Sequence, residues 1–395
     1  MLYEEKIIET IPVGPLGLIP LQSCAALGQK VDKYLVAWRK ERESEHKSTI
    51  AFSGYQRDSY IIGAKTPRFG SGEGKGMLEE SVRGDDLYFM VDVCNYSLTY
   101  HLCGMENHMS PDDHFQDLKR IIQAMGGKAH RISVVMPILY GGRQHRRNYR
   151  ESLDCAVMLQ ELQAMGVSNI ITFDAHDARV CNAIPLMGFD NVMPSYQVLK
   201  AMFSEVKDLD VSPEAFMVVS PDEGALNRNM YYASVLGVQM GMFYKRRDYS
   251  TIVNGRNPIV AHEYLGNSVE GKTVFISDDI ISSGDSMLDI AYELKKRNAK
   301  RIIAYATYPI FTNGLAKFDQ AYMDGMIDYV FGTNLTYRTP DLLSREWFKE
   351  VDVSKYIAYL IAAINHDIST SKVIDPHLKI KSLLTKYNVK SAETL

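Results

Sequence analysis

Two adjacent carboxylates stand directly before a run of small residues in the stretch VFISDDIISSGDSMLDIAYEL, residues 274–294. The small residues of 282–286 can align backbone amides at a helix N-terminus, where an anion such as a phosphate binds. Asp278 and Asp279 would repel that anion. The acids therefore either have a structural role or bind something carried beside the phosphate, such as sugar hydroxyls or a metal ion.

The elements around this stretch alternate between strand and helix patterns from about residue 80 onward. Such alternation predicts an α/β fold with mainly parallel sheets flanked by helices, in which ligands bind beyond the carboxyl ends of the strands. A boundary near residue 195 predicts two domains, 1–195 and 196–395. Acidic or histidine side chains follow apolar runs at three places, FDAHD (173–177), SPDEG (220–224) and SDDIISSGDS (277–286).

Composition favours a small-molecule ligand. The 395 residues are 46% hydrophobic and 23% charged, with a net charge of −4, so neither nucleic acid nor an anionic membrane is an expected partner. The N-terminus MLYEEKIIET lacks a signal-peptide layout, and the longest apolar run, 356–364, is too short to span a bilayer and predicts a buried helix. Five cysteines without a CxxC pair suit reduced thiols, and the predicted location is the cytoplasm.

Several features have simpler interpretations than a ligand site. GSGEGKG (70–76) fits neither of the two phosphate-binding glycine patterns, GxxxxGK[ST] and GxGxxG. The mixed charges of 38–48 predict a solvated helix end and loop, and the last segment, from residue 372, predicts a polar tail. One loose polar cluster fits no zinc spacing, and a helix cap that begins at Ser110 is the preferred explanation for Asp112 and Asp113. That cluster comprises His101, Cys103, His108, Asp112 and His114.

Seven collinear segments between Arg68 and Gly314 resemble motifs of the ribose-phosphate pyrophosphokinases, the enzymes that make phosphoribosyl pyrophosphate (PRPP). The resemblance implies two phosphoribosyltransferase-type domains. It also implies transfer of the pyrophosphoryl group of MgATP to the 1-hydroxyl of ribose 5-phosphate, which gives PRPP and AMP. The segments are RFGSGE with EESVRGDDLYF, GRQHRR, ITFDAHD, VVSPDEGALNR, YKRR, SDDIISSGDS and AYATYPIFTNG.

The resemblance also implies roles for individual residues, with Mg²⁺ as the cofactor. His176 and Asp222 would bind the metal, and Lys245 and Arg247 would be mobile catalytic cations. The implied ATP contacts are Arg143 and Gln144, with Phe69, Ser71 and Glu73 supplied by a neighbouring subunit of a homo-oligomer, a dimer or a hexamer. The implied ribose 5-phosphate contacts are Arg247, Asp278, Asp279, Ser282, Ser283, Gly284, Asp285 and Ser286.

Four positions depart from the family motifs, namely His145, Ala225, Tyr244 and Asp285, and residues 1–67 match poorly. Asp285 puts an acid inside the phosphate loop. Two alternatives therefore remain beside the predicted enzyme. One is a non-catalytic regulatory paralogue of a PRPP synthetase, and the other is a phosphoribosyltransferase that consumes PRPP.

Overall fold

A computed structural model describes residues 10–44, 55–147, 149–247 and 259–393, which form two compact units. The N-terminal unit contains the described residues up to Met193 and also includes two later segments, 334–337 and 352–375. The C-terminal unit contains the described residues of 194–333, 338–351 and 376–393. The domain boundary expected after residue 195 stays a prediction. The two compact units differ from the predicted domains because segments 334–337 and 352–375 belong to the N-terminal unit.

Sixteen strands and eleven helices position the polar residues in the described parts of the chain. The strands are β1 (Leu16–Pro20), β2 (Ala64–Lys65), β3 (Met77–Leu78), β4 (Asp86–Met90), β5 (Thr99–Leu102), β6 (Met105–His108), β7 (Arg131–Val135), β8 (Asn169–Phe173), β9 (Gly188–Val192), β10 (Phe216–Ser220), β11 (Gln239–Arg247), β12 (Ile259–Leu265), β13 (Thr273–Ile281), β14 (Arg301–Pro309), β15 (Tyr329–Thr333) and β16 (Phe348–Val351). The helices are α1 (Ala25–Ser44), α2 (Pro111–Ala124), α3 (Asp154–Ala164), α4 (Ser195–Glu205), α5 (Leu226–Leu236), α6 (Asp285–Lys296), α7 (Ala316–Met323), α8 (Pro340–Leu343), α9 (Ser354–Asn365), α10 (Ser371–Ile374) and α11 (His377–Glu393).

The N-terminal unit is built on a parallel sheet in the order β1-β4-β7-β8-β9. All five residues of β4 are buried, as expected for a parallel strand covered on both faces. α2 begins at the predicted cap, where Ser110 and Asp113 exchange side-chain and backbone hydrogen bonds. Leu118 and Ile121 of this helix are buried in the core beside the sheet.

α9 contains the apolar run 356–364 and is a buried helix, as predicted. It lies against α1, where the rings of Trp38 and Tyr359 are 4.3 Å apart. No helix in the ranges covered by the structure is both long and apolar enough to cross a membrane.

The solvated charge run expected over 38–48 is wrong at its start, and residues 45–48 of it lie outside the described residues. Arg39 is buried and donates hydrogen bonds to the Tyr55 carbonyl and the Asn365 side chain. The guanidinium also lies over the Tyr55 and Tyr60 rings, at 4.2 and 4.6 Å from their centroids. Because these partners are distant in sequence, the local charge pattern could not reveal the burial of Arg39.

The C-terminal unit is built on a seven-stranded sheet in the order β12-β11-β10-β13-β14-β15-β16. All neighbouring pairs are parallel except β11 with β12. Successive residues of β13 enter opposite cores: Val274 and Ile276 pack with α6, whereas Phe275 packs with α4 and α5. Since successive side chains of a strand point to opposite faces, this sheet has a core on each side.

The polar tail expected from residue 372 is wrong in the part that forms α11. Ile380 is fully buried, and Tyr387 stacks on Phe203 of α4 with ring centroids 4.6 Å apart. Ile380, Leu383, Leu384 and Tyr387 recur at the spacing of one helix face, a signal that the polar composition of the segment masks.

Candidate functional site

The acidic pair belongs to β13 itself. The sequence pattern predicts a strand that ends in the two acids, but the strand continues to Ile281 because pairing with β14 is maintained through Asp278, Ile280 and Ile281. The small-residue loop then begins at Ser282. Both acids are therefore held on a rigid strand at its carboxyl end, the edge at which α/β folds bind ligands.

The loop after β13 is fixed by the segment that follows β14. The Ser282 carbonyl accepts a hydrogen bond from the Thr312 N–H, at 2.9 Å. Gly284 caps α6 with φ of 82°, a left-handed conformation that favours glycine. A Cβ on Gly284 would lie 2.2 Å from the buried Phe318 ring, so this position also lacks room for a side chain. α6 therefore starts with a tight backbone turn that exposes amides at its N-terminus.

Asp278 and Asp279 place two carboxyl groups next to each other at this strand end. Asp279 is buried, and its N–H donates a hydrogen bond to Oδ1 of Asp278 at 2.9 Å. Burial and the neighbouring Asp279 raise the pKa of Asp278 well above its ordinary value, whereas Arg228 opposes the shift. Arg228 Nη1 lies 3.5 Å from Asp278 Oδ1, and this arginine is itself largely buried. A bound cation or sugar hydroxyls would offset the negative charge.

Asp222 and Asn229 connect the neighbouring strand β10 to the same edge. Asp222 Oδ1 accepts the Ala225 N–H at 3.1 Å, and the charge of Asp222 also contributes to raising the pKa of Asp278. Asn229 is fully buried and bonds to both the N–H and the carbonyl of Ser277. Arg228 is the last residue of the VVSPDEGALNR motif and Asn229 follows it, but local sequence patterns do not predict these partners.

Lys245 and Arg247 lie at the end of β11, whereas the sequence predicts a mobile loop for these cations. Their backbones pair with His262 and Ile259 of β12, and the register shifts between Arg246 and Arg247. The rest of the predicted loop, residues 248–258, lies outside the described residues. An antiparallel hairpin thus extends from the edge of the C-terminal sheet and includes both predicted catalytic positions.

In the N-terminal unit, the segment from Phe69 to Glu73 forms a tight turn. The Phe69 N–H bonds to the Glu73 carbonyl at 2.8 Å, and the Ser71 hydroxyl donates to the Glu73 carboxylate at 2.9 Å. The preceding Arg68 makes two bonds to the buried Asp117 of α2, at 2.8 and 2.9 Å. The Phe69 ring is 56% exposed, so the turn presents an aromatic side chain on a rigidly anchored base.

A second polar group in this unit joins the loops after β7 and β8. Arg143 is exposed, and Gln144 donates to the Ser152 carbonyl at 2.9 Å. His145 Nε2 lies 3.6 Å from Asp177 Oδ2, and its ring centroid is 5.3 Å from that of His176. Burial lowers the pKa of His145, which favours the neutral ring. The structure therefore brings the predicted ATP segment beside the predicted metal ligand His176.

Within the described residues, no group of three or more His, Cys, Asp or Glu side chains could hold a metal ion alone. Two members of the cluster around His101 have structural partners. His114 is buried on the Asn95 carbonyl, and Asp112 accepts a hydrogen bond from the Tyr140 hydroxyl at 2.7 Å, so the α2 cap accounts for Asp113 but not for Asp112.

Comparison with known families assigns both units. Residues 16–166 match the N-terminal domain of ribose phosphate pyrophosphokinase, and residues 190–335 match the phosphoribosyl transferase domain. The chain belongs to the ribose-phosphate pyrophosphokinase family. The ribose-phosphate pyrophosphokinase of Vibrio parahaemolyticus is 27% identical over 321 residues, 79% of this chain and 91% of that protein. The Ralstonia nicotianae enzyme is 28% identical over 257 residues, 63% of this chain and 71% of that protein.

The fold agrees with this assignment. The crystal structure of phosphoribosylpyrophosphate synthetase from Mycobacterium smegmatis superposes with a TM-score of 0.67, covering 89% of this chain and 99% of that one at 20% identity. The predicted fold class, family and enzyme type are thereby confirmed. The roles of individual residues stay predictions.

Proposed function

We propose that this ribose-phosphate pyrophosphokinase family member is an active ribose-phosphate diphosphokinase, which converts MgATP and ribose 5-phosphate to PRPP and AMP. The observation that carries the proposal is the β13 edge. There an acidic pair, of which Asp279 is buried and Asp278 is partly buried, precedes an amide loop that Gly284 and Phe318 hold in shape. Family membership supports the same reaction.

Ribose 5-phosphate fits the β13 edge because its charges are separated. The amides of 282–286 would bind the 5-phosphate at the start of α6, where the helix dipole also favours an anion. Asp278 and Asp279 would accept hydrogen bonds from the ribose hydroxyls, directly or through Mg²⁺. Arg247 is assigned a further contact to ribose 5-phosphate.

ATP recognition is assigned to two segments of the N-terminal unit. Arg143 and Gln144 would contact the nucleotide within their own subunit, while the turn with Phe69, Ser71 and Glu73 would serve the site of a neighbouring subunit. The exposure of Phe69 on an anchored turn supports that second role. A homo-oligomer is therefore part of the proposal, and the cytoplasm stays the predicted location.

The family resemblance assigns His176 and Asp222 each as Mg²⁺ ligands, and substrate phosphates and water would complete the shell of the ion. Bound Mg²⁺ would neutralise the polyphosphate. The anomeric hydroxyl of ribose 5-phosphate attacks the β-phosphorus of ATP, and AMP leaves. Lys245 and Arg247 would stabilise the charge on the transferring group in the transition state.

The test is product analysis with purified protein, ATP, ribose 5-phosphate and Mg²⁺, in which AMP, ADP and PRPP are measured separately. The expected result is AMP formed in step with PRPP. Lys245→Ala should lower the rate at least about 100-fold, since it removes a positioned transition-state cation. Lys296→Ala, which removes an exposed lysine on α6, is the matched control and should retain the rate.

Two other outcomes would overturn the proposal. Both substrates binding without AMP formation would identify a regulatory paralogue. PRPP consumption with a nucleobase, without PRPP synthesis from ATP, would identify a phosphoribosyltransferase.

A further inference from the structure

An acid inside the phosphate loop has a partner that the sequence motifs do not contain. Asp285 is the first residue of α6, and its Oδ1 accepts a hydrogen bond from Lys317 Nζ at 2.5 Å. The two side chains remain 48% and 60% exposed. Lys317 lies in the first turn of α7, 32 residues further along the chain.

The packing of α7 fixes the backbone of Lys317 beside the loop. Its neighbour Phe318 is fully buried and lies against Gly284, and its ring meets those of Phe311 and Trp347 at 4.9 and 5.6 Å between centroids. The same aromatic cluster therefore shapes the loop and brings the lysine to it.

The charge of Asp285 opposes the proposed ligand. Hydrogen bonds from Lys317 and from the Ser283 hydroxyl lower the pKa of Asp285, so this acid is ionised at neutral pH. The Asp285 carboxylate would then place a negative charge beside the amides that are proposed to bind the 5-phosphate, which is itself negatively charged. Exposed ion pairs contribute little to folding, so the main consequence of this pair is expected in phosphate binding.

We propose that Lys317 is a positioning residue that sets the affinity for ribose 5-phosphate by neutralising Asp285 and holding its carboxylate away from the loop amides. The inference rests on the proposed function. It assigns a compensating pair to this chain, in which an acid in the loop is balanced by a cation from the next helix.

The test is a double-mutant cycle with Lys317→Met, Asp285→Asn and the double variant, in which ribose 5-phosphate dissociation constants are measured by calorimetry at low and high salt. Lys317→Met should weaken binding about five- to tenfold at low salt, because it leaves Asp285 unbalanced, and less at high salt. Lys317→Arg should retain affinity, and the double variant should recover most of the loss. kcat and the unfolding temperature of Lys317→Met should stay close to the wild-type values.

Lys296→Met is the matched control, because it removes an exposed lysine that pairs with Glu293 on α6 and should leave affinity unchanged. A double variant as weak as Lys317→Met would show that Lys317 does not act through Asp285 and would overturn the inference. Unchanged affinity in Lys317→Met would do the same. Failure of the wild-type protein to bind ribose 5-phosphate would instead reject the proposed function.

Discussion

At the scale of residues, Asp278 has a carboxyl group whose ionisation is unfavourable in the folded protein. Its carboxyl lies beside Asp279, and burial with that neighbour raises its pKa well above the ordinary value. In the absence of ligand, ionisation of Asp278 therefore disfavours the folded state. Sites that bind sugars and metal ions commonly retain such unfavourable charges because the ligand offsets them.

The first prediction is that Asp278→Asn stabilises the ligand-free protein at pH 7. Because the folded pKa is raised, the unfolded chain releases this proton first as pH rises above the ordinary aspartate pKa of 3.8. The wild-type fold therefore loses stability as pH rises from there to the folded pKa. Asparagine keeps the Oδ1 acceptor for the Asp279 N–H but cannot ionise. The expected gain is present at pH 7 and vanishes towards pH 4, as measured by urea unfolding.

Asp289→Asn on the exposed face of α6 is the control and should show no comparable gain. Equal stability of Asp278→Asn and wild type at pH 7 would contradict the account of the buried charge. In the same protein, Asp278→Asn or Asp278→Ala should weaken ribose 5-phosphate binding in the presence of Mg²⁺. Unchanged affinity would show that the acid does not bind the sugar.

The sequence predicted residue types at the site better than their partners. Asp278, Asp279 and the small residues after them form a contiguous motif, so they could be recognised directly. The contacts of Lys317 with Asp285 and of Arg228 with Asp278 could not be predicted, since they join residues 32 and 50 positions apart. Such pairs depend on how helices pack on the sheet, which local patterns do not specify.

At the scale of elements, the β13 loop depends on one glycine and one ring. Gly284 combines a positive φ with contact to Phe318, whereas Gly271, in the turn before β13, has a φ of 71° and open space around it. A side chain would be strained by the positive φ at both positions, but it would meet a close neighbour only at Gly284.

The second prediction compares alanine at these two glycines. Gly271→Ala should cost about 1 kcal/mol of stability from left-handed strain alone. Gly284→Ala should cost about 3 kcal/mol, because the added methyl group also displaces Phe318. Chemical unfolding measures both, and ribose 5-phosphate binding should weaken only for Gly284→Ala. Equal costs for the two variants would show that the Phe318 contact is not limiting.

The sequence predicted element types well wherever strands are continuous apolar runs, as in β4 and β10. It misplaced elements whose pairing or packing is non-local. A flexible loop was expected at Lys245 and Arg247 because YKRR resembles a flexible-loop motif of the family, whereas these residues belong to a strand paired with β12. α11 was expected as a tail because its apolar face is narrow. In both cases a partner element provides the stabilising contacts.

At the scale of the whole molecule, the proposed functions are divided between the two units. Phe69, Arg143 and His176 belong to the N-terminal unit, whereas Asp222 and Lys245 belong to the C-terminal unit. The chain returns to the N-terminal unit after β15 and again after β16, a topology that a sequence-based boundary does not reveal.

The third prediction concerns sharing of the site between subunits. Phe69→Ala should impair the turn that a subunit offers to its neighbour, and Lys245→Ala should impair the subunit's own catalytic centre. Each variant alone should be strongly reduced in PRPP synthesis. If subunits exchange, an equal mixture pairs an intact catalytic centre with an intact turn in about 25% of sites, and activity should recover to about that fraction of wild type.

The control is a mixture of wild type with the double variant Phe69→Ala, Lys245→Ala. Random exchange in that mixture also leaves about 25% of sites intact, whereas sites confined to one subunit would retain about 50%. The two mixtures should therefore converge on the same activity after exchange is complete. No recovery in the first mixture, with 50% in the second, would place Phe69 in the site of its own chain and remove the need for a neighbouring subunit in catalysis.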